Sequence, residues 1–473
     1  MHRLIKVGKI KPLASIDSTN TKFGIGLEKL DRNVFDPSKT YDKLGELGAK
    51  YVRIQSGWAR TEKQENVYDF SWIDEIVDNL IARGMEPWIC MCYGNGLYTE
   101  NANEIFGCVG VPPIFSEREK NAWANYCKAT AKHFEGRVKM YEVWNEPDGR
   151  WCWKHGASGT EYGEFVIATS KAIKSVVPSA KILAGSIANR NNIVWIKDMF
   201  ETGIAPYIDA ITYHEYTNDE TRVLETVRYY KAFIKKYGEH IKLIQGESGC
   251  PSVPETNGAL RNGHWSEDKQ AKLLLRRQLI DLISEVEFSS HFTTVDMIEA
   301  LNGKAGDLKS YLDYGYFGVL RVEFDENGFA VGEYTKKPSY YAYQNFIALF
   351  GQGAKKQDLP IILKGPDYTE KVFGNSEKLQ RMVTQGFVKE NGSSAFLYYR
   401  HADIMTESYD GVVSFACDEK LENIRLIDLM SGNVYKIPER MVEDLGSGFI
   451  KLSFLPIKDY PFAITFGDFC EVE

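Results

Sequence analysis

The first 350 residues of this 473-residue chain repeat one theme eight times: a short apolar run, then a stretch with helical spacing of its apolar residues. The apolar runs begin near Phe23, Tyr51, Glu86, Val138, Ile182, Ile208, Ile241 and Phe288. Several are continuous rather than alternating, as parallel strands covered on both faces must be. The intervening helices carry start and stop signals. Asp36-Pro37 sets an N-cap before a proline, and Gly48 ends that helix. Ser71 precedes Ile73, Ile76, Val77, Leu80 and Ile81, a one-sided stripe that Gly84 terminates. Ser116 and Glu119 form a capping-box pattern before Trp123, Cys127, Ala131 and Phe134. Ser266 opens an apolar and basic helix through Ile283, with Arg276-Arg277 expected on a solvated face, and the last helix runs from Pro338 to Phe350. Eight strand–helix units predict an α/β fold, a closed (β/α)8 TIM barrel. The competing arrangement, an open doubly wound sheet, usually carries a glycine-rich phosphate loop after its first strand. Phe23-Gly24-Ile25-Gly26-Leu27-Glu28 lacks the third glycine of such a loop.

After Gly351 the helical period disappears. Strand-like runs follow at Gln380–Val388, Ser394–Tyr399, Gly411–Ala416, Ile424–Leu429, Asn433–Ile437, Phe449–Phe454 and Phe462–Phe466, punctuated by Asn391-Gly392, Asp410-Gly411 and Ser431-Gly432-Asn433. Short strands at this density predict a C-terminal antiparallel β-sandwich. The expected division is residues 1–15 as an N-terminal strand joining the sandwich, 16–350 as the barrel and 351–473 as the sandwich. No low-complexity linker separates the two parts, which predicts a close interface. The sandwich shows no site motif; a structural role, or subunit contact in a homo-oligomer, is expected of it.

Charge narrows the partners. A net charge of −8 argues against nucleic acid or an anionic membrane surface. No run of 18 apolar residues suggests a membrane span, and the first residues lack the apolar core of a leader peptide, so a cytoplasmic location is expected. A secreted chain trimmed of its leader would begin the same way. The 8 cysteines include no Cys-x-x-Cys pair and no Cys/His cluster of zinc spacing, so neither a metal nor another cofactor is expected. Cys90 and Cys92 read as small buried hydrophobes.

The chemistry lies at strand ends. Tyr141-Glu142-Val143-Trp144-Asn145-Glu146-Pro147 is a buried strand that stops at an amide, a carboxylate and a proline, and Lys242-Leu243-Ile244-Gln245-Gly246-Glu247-Ser248 ends the same way. In a (β/α)8 barrel these are the ends of strands four and seven, which open into one mouth. Two carboxyl groups facing one pocket can break a glycosidic bond; about 5 Å between them suits a retaining reaction and roughly 6.5–9.5 Å an inverting one. Glu146, beside Trp144 and Pro147, is the candidate general acid, because reduced solvation raises a carboxyl pKa. Asn145 can orient a sugar hydroxyl. Glu247 is the candidate nucleophile, with Arg53 at the end of strand two as the cation expected to keep it ionised, and His214 and Tyr216 on strand six as neighbours. Glu142 reads as a buried structural carboxylate.

Together, Trp144-Asn145-Glu146-Pro147, Arg53, His214-x-Tyr216 and Glu247 resemble clan A of the glycoside hydrolases, the retaining "4/7" barrels. Tyr68-Asp69-Phe70 and Lys337-Pro338-Ser339-Tyr340-Tyr341-Ala342 add to the likeness, which spans roughly residues 20–350. With a small sandwich attached to the barrel, the chain is most similar to family 39, which includes β-xylosidases and α-L-iduronidases. The resemblance implies Glu146 as acid/base, Glu247 as nucleophile and Asn145 on the 2-hydroxyl, with Arg53, His214 and Tyr216 around the nucleophile. Strand three departs from the clan pattern: Trp88-Ile89-Cys90-Met91-Cys92-Tyr93-Gly94-Asn95 has no His, and Tyr93 or Asn95 is the candidate substitute.

The expected substrate is therefore a carbohydrate, cleaved at a β-glycosidic bond by double displacement from the end of an oligosaccharide or small glycoside. An endo-acting β-glycanase and a barrel that only binds carbohydrate are the alternatives. Tyr93 and Glu28 are further subsite candidates. Trp58, Trp151, Trp153 and Trp265 fall in segments after strands two, four and seven, where an indole can stack on a sugar ring.

Overall fold

The computed structural model describes residues 4–102, 108–256, 258–298, 314–364, 382–418 and 423–473. Gln380 and Arg381, the start of one expected strand, lie outside the described residues. Eight parallel strands close in chain order: Phe23–Gly26, Tyr51–Gln55, Glu86–Met91, Met140–Val143, Lys181–Ile187, Ala210–His214, Lys242–Ser248 and Ser289–His291. The barrel shuts where Phe23, Gly24 and Ile25 pair with Ser289, Ser290 and His291.

The barrel interior changes character along its axis. At the floor Trp88, Leu183, Ala210, Ile244 and Phe288 pack with Tyr51 and Met140. Two residues further along their strands, on the same face, Tyr51 gives way to Arg53, Met140 to Glu142 and Ala210 to Thr212, all buried. The period-2 geometry thus stacks a charged layer directly on an apolar one. Burial of the floor residues contributes roughly 1.5–3 kcal/mol per large side chain, and that supports a layer expensive to desolvate.

The outer helices follow their sequence signals. Helix Ser71–Ala82 buries Ile73, Ile76, Val77 and Leu80, and Gly84 ends it at φ +82°. Just before this helix, Asp69 Oδ1 accepts from the Ser71 N–H. Ser116 and Glu119 cap helix Glu117–His133 reciprocally, and Ser266 caps helix Glu267–Ile283. Helix Pro338–Phe350 returns beneath strand one, where the Tyr343 hydroxyl donates to the Gly24 carbonyl.

The C-terminal part is two antiparallel sheets. The larger runs Ile5–Lys9, Asn433–Lys436, Arg425–Asp428, Phe462–Phe466, Ser394–Arg400, Met382–Val388 and Lys355–Lys356; the smaller runs Ile361–Leu363, Asp410–Cys417, Phe449–Lys458 and Val442–Gly446. Phe396 and Tyr398 of one sheet meet Phe415 of the other. Sequence reading finds seven of the strands after Gly351. It misses Lys355–Lys356, Ile361–Leu363 and Val442–Gly446, which are short, mostly exposed edges with no buried face to impose alternation.

One expectation is overturned. Arg276 and Arg277 are buried, not solvated. Helix Glu267–Ile283 lies between barrel and sandwich, so it has two covered faces. Arg276 donates to the carbonyls of Asp459 (2.5 Å) and Ala402 (2.9 Å) in the sandwich. Arg277 pairs with Asp281 and donates to the Glu215 carbonyl.

Candidate active site

Strand four breaks sharply before it delivers its carboxylate. Trp144 and Glu146 both have left-handed backbone, at φ +67° and +45°. For residues with a Cβ that conformation costs roughly 1–3 kcal/mol and persists only where surroundings impose it. Here the Trp144 indole is fully buried, donates to the Cys152 carbonyl at 2.7 Å and stands edge-on to Tyr93, Trp123, Trp153 and Phe165. The turn aims Glu146 into the mouth, and its N–H donates to Ser186 Oγ at 3.2 Å. Asn145 is oriented by Arg53, whose Nη2 donates to its Oδ1 at 2.8 Å.

Strands five, six and seven shift register near their C-terminal ends, between Ala184 and Ile187, Tyr213 and His214, and Gln245 and Ser248. Such irregularities re-aim side chains, and His214 ends up paired with Glu247 across strands six and seven. Glu247 Oε1 accepts from the Tyr216 hydroxyl at 2.5 Å, and Oε2 accepts from Arg53 Nη1 at 3.0 Å.

His214 bridges the two candidate carboxylates. Its Nδ1 lies 2.9 Å from Glu146 Oε1 and 3.5 Å from Glu247 Oε2, while Nε2 lies 3.0 Å from Ser186 Oγ. Facing acceptors, Nδ1 must carry the proton, so Nε2 accepts from the Ser186 hydroxyl. Burial pulls the imidazole pKa down, which favours this neutral form. One oxygen of Glu146, one of Glu247 and a His214 nitrogen all lie within 4.8 Å of one another.

Arg53 does not serve Glu247 alone. The fully buried guanidinium also contacts Glu28 Oε1 at 3.1 Å and Glu142 Oε2 at 2.6 Å, and it lies over the Trp88 ring of the floor. Three carboxylates divide one cation. Burial pushes the Glu247 carboxyl up to about 7; His214 and Arg53 draw it down, while Glu146 and Glu28 add to the rise. Arg53 thus reaches Glu247 as expected, but it serves Glu28 and Glu142 as well. Glu142, read as a structural carboxylate, is fully buried and also accepts from Thr212 Oγ1 at 2.5 Å.

Among the indoles, only Trp151 behaves as a wall of the site: it is 47% exposed, and its Nε1 donates to Glu146 Oε2. Trp58 is fully buried, between Tyr98 and Tyr126, with Nε1 on Glu62. Trp153 is packed against Trp144. Trp265 donates to the Leu260 carbonyl and packs with Cys250, Leu273 and Ile404. Trp58, Trp153 and Trp265 are thus packing residues under their loops, not stacking platforms. Tyr93 is also nearly buried, edge-on to Trp144; with Asp31, Asn33, Arg60 and Asn95 it lines a cavity of about 570 Å³ over strands one to three.

Sequence reading missed Ser186, Thr212 and Cys152. Each lacks a motif. Their roles come from the strand-end irregularities and, for Cys152, from a thiol 3.4 Å from Asn145 Nδ2. Arg32, with Nη2 on Gln55 and its guanidinium 5.8 Å from the Tyr93 ring centre, is another cation beside the mouth without a sequence signal. Among the described residues two donor sets are close enough for a cation, Glu146–His214–Glu247 and Asp219–Glu220–His401. In both, protein donors already engage the carboxylates.

With this geometry in view, comparison with known proteins gives a consistent answer. The family model for glycosyl hydrolases family 39 matches residues 5–352. A β-xylosidase of Geobacillus stearothermophilus is 29% identical over 305 residues, 60% of this chain and 56% of that relative. The match thus spans little more than half the relative's length. Among solved structures, a family 39 glycoside hydrolase from the gut symbiont Bacteroides cellulosilyticus WH2 is similar with a TM-score of 0.64 at 17% identity, over 94% of this chain and 81% of that one. A family 39 β-xylosidase from Caulobacter crescentus is similar with a TM-score of 0.58 at 17% identity, over 98% and 97%. At such identities the likeness to solved structures speaks to the fold. Among the described residues no helix is long and apolar enough to cross a membrane.

Proposed function

The chain belongs to glycosyl hydrolases family 39, and from that premise we propose that it is a retaining β-glycosidase in which Glu146 is the acid/base and Glu247 the nucleophile. What carries this reading is the spacing. Carboxylate oxygens within 4.8 Å of each other, with a shared imidazole, favour the close spacing of a retaining pair over the roughly 6.5–9.5 Å of an inverting one.

The groups suit a double displacement. Like charges this close disfavour ionisation of both carboxyls, so the pair tends to hold one proton. With that proton on Glu146, it passes to the departing glycosidic oxygen while Glu247 forms a bond to the anomeric carbon. The covalent intermediate removes the charge on Glu247, and Glu146 then takes a proton from the water that attacks the same carbon. Tyr216 and Arg53 hold the two Glu247 oxygens in place, and Asn145, fixed by Arg53, presents its amide to a ring hydroxyl. Trp151 is the candidate stacking surface. Xylosidase-like action on the end of a short oligosaccharide or an aryl glycoside is the preferred substrate class, in keeping with the β-xylosidases it resembles. The eight cysteines form no disulfide among the described residues, which suits a reducing compartment and a cytoplasmic location.

The test is a leaving-group series of aryl β-xylosides. Glu146→Ala should lose activity steeply on poor leaving groups and little on good ones, since only poor ones need protonation. NMR of the first-formed sugar should show the β anomer. Equal losses across the series, or the α anomer first, would remove these roles.

A further inference from the structure

We propose that the β-sandwich takes part in the barrel's reaction: Tyr399 and His401 are positioning residues that hold, through Glu220, the loop on which Tyr216 touches Glu247. This rests on the reading of Glu247 as nucleophile.

The loop is the seven-residue link, 215–221, between strand Ala210–His214 and helix Arg222–Ile234. Its near end is fixed inside the barrel, where Arg277 Nη1 donates to the Glu215 carbonyl at 2.5 Å and Arg190 Nη1 donates to Glu215 Oε1 at 3.2 Å. Its far end is fixed from outside. Glu220, fully buried, accepts at Oε1 from the Tyr399 hydroxyl at 2.5 Å, and His401 Nδ1 lies 3.0 Å from the same oxygen. Tyr399 ends the sandwich strand Ser394–Arg400 but one residue, and His401 follows that strand directly. Arg276 Nη1 stands 3.8 Å from Glu220 Oε2.

Between these anchors lies little slack. The Asp219 N–H donates to Thr217 Oγ1 and the Thr221 hydroxyl to Asp219 Oδ1, so the segment is internally braced. Tyr216 is four residues from Glu220, at most ~14 Å of extended chain. A buried carboxylate cannot leave its partners without an uncompensated charge, so Glu220 stays where the sandwich puts it. A misplacement of 1 Å near reacting groups can change rates ~10²-fold; a loosened anchor four residues away should have a smaller effect.

The experiment is a double-mutant cycle on an aryl β-xyloside. Tyr399→Phe removes a single oxygen; His401→Phe removes the second contact; each is made alone and with Tyr216→Phe. We expect ~10-fold loss of kcat with KM changed less than twofold, and no further loss when Tyr216 is already Phe. His401→Gln, which keeps a hydrogen bond to Glu220, should recover most of the rate. Without substrate, amide hydrogen exchange across 215–221 should quicken about tenfold in Tyr399→Phe and His401→Phe. An unchanged kcat, an equal loss in both backgrounds, or unchanged exchange would each overturn the proposal. If the parent turned over no glycoside, the hydrolase reading would fail by itself, while the exchange rates would still decide whether the sandwich holds the loop.

Discussion

Glu247 at the barrel mouth and Glu220 at the barrel–sandwich junction are surrounded by the same three kinds of partner. Each receives a tyrosine hydroxyl at 2.5 Å, each has a histidine beside it and each has a buried arginine, at 3.0 Å for Glu247 and 3.8 Å for Glu220. The sequence even writes them as mirror images, His214-x-Tyr216 and Tyr399-x-His401. Yet their acidities move in opposite directions. Burial pushes Glu247 up to about 7, whereas Glu220 sits below the ordinary carboxyl value although it too is fully buried. The difference lies in the charges around the trio. Glu247 shares Arg53 with Glu28 and Glu142 and faces Glu146. Glu220 has His401 and Arg276 drawing it down. Neighbours of the same kinds, set among different charges, leave Glu220 below the ordinary carboxyl value and Glu247 above it.

The largest test of that contrast separates function from stability. Glu247→Gln should lower kcat by ~10⁴-fold or more, about 5 kcal/mol at 1.36 kcal/mol per tenfold, while its thermal midpoint stays at or above the parent's. A carboxyl held above its ordinary pKa gains nothing from being ionised. Its folded value exceeds the unfolded one, so its contribution to stability falls as pH rises from about 4.5 to about 7, and the neutral amide escapes that fall. Glu220→Ala should behave oppositely. It leaves Arg276 and His401 facing an empty place and should destabilise by about 3–5 kcal/mol in chemical denaturation. A destabilised Glu247→Gln, or a Glu220→Ala as stable as the parent, would break the distinction.

A smaller effect asks which neighbour keeps Glu247 up. In Glu28→Gln the Arg53 Nη1 no longer divides its charge between two carboxylates. The acidic limb of kcat/KM, which reports the free enzyme, should move to lower pH. An unmoved limb would assign the rise to burial and Glu146.

How far each site could be read beforehand follows from chain geometry. Glu146, Glu247, Arg53, His214 and Tyr216 sit on strand ends, and a closed barrel converges strand ends by construction. Placing the strands was enough to bring them together. Nothing local links Glu220 to Tyr399, 179 residues on; their meeting depends on how the sandwich docks. The same blindness misjudged Arg276, whose helix lies between two bodies, and Trp58 and Trp265, whose loops fold over them. Periodicity reports that a side chain has a covered face, not what covers it.

The smallest effect tests the junction by pH. The hydrogen bond with Glu220 and the charges of Glu220 and Asp219 raise the His401 pKa, against burial and Arg276. These are the charged groups that face the ring: Asp219 and Glu220 from the loop and Arg276 from helix Glu267–Ile283, with Tyr399 on its own strand. A histidine whose folded pKa exceeds its unfolded value stabilises fully below the unfolded value, near 6.5, and that contribution fades as pH climbs through the folded one. His401→Gln keeps a donor for Glu220 but cannot become charged. Thermal midpoints of parent and variant should therefore differ most at pH 5–6 and converge once pH has climbed past the folded value. A gap that stayed constant across that range would mean that the ring holds Glu220 as a neutral hydrogen-bond donor. The junction would then be a packed contact rather than the ionic counterpart of the barrel mouth.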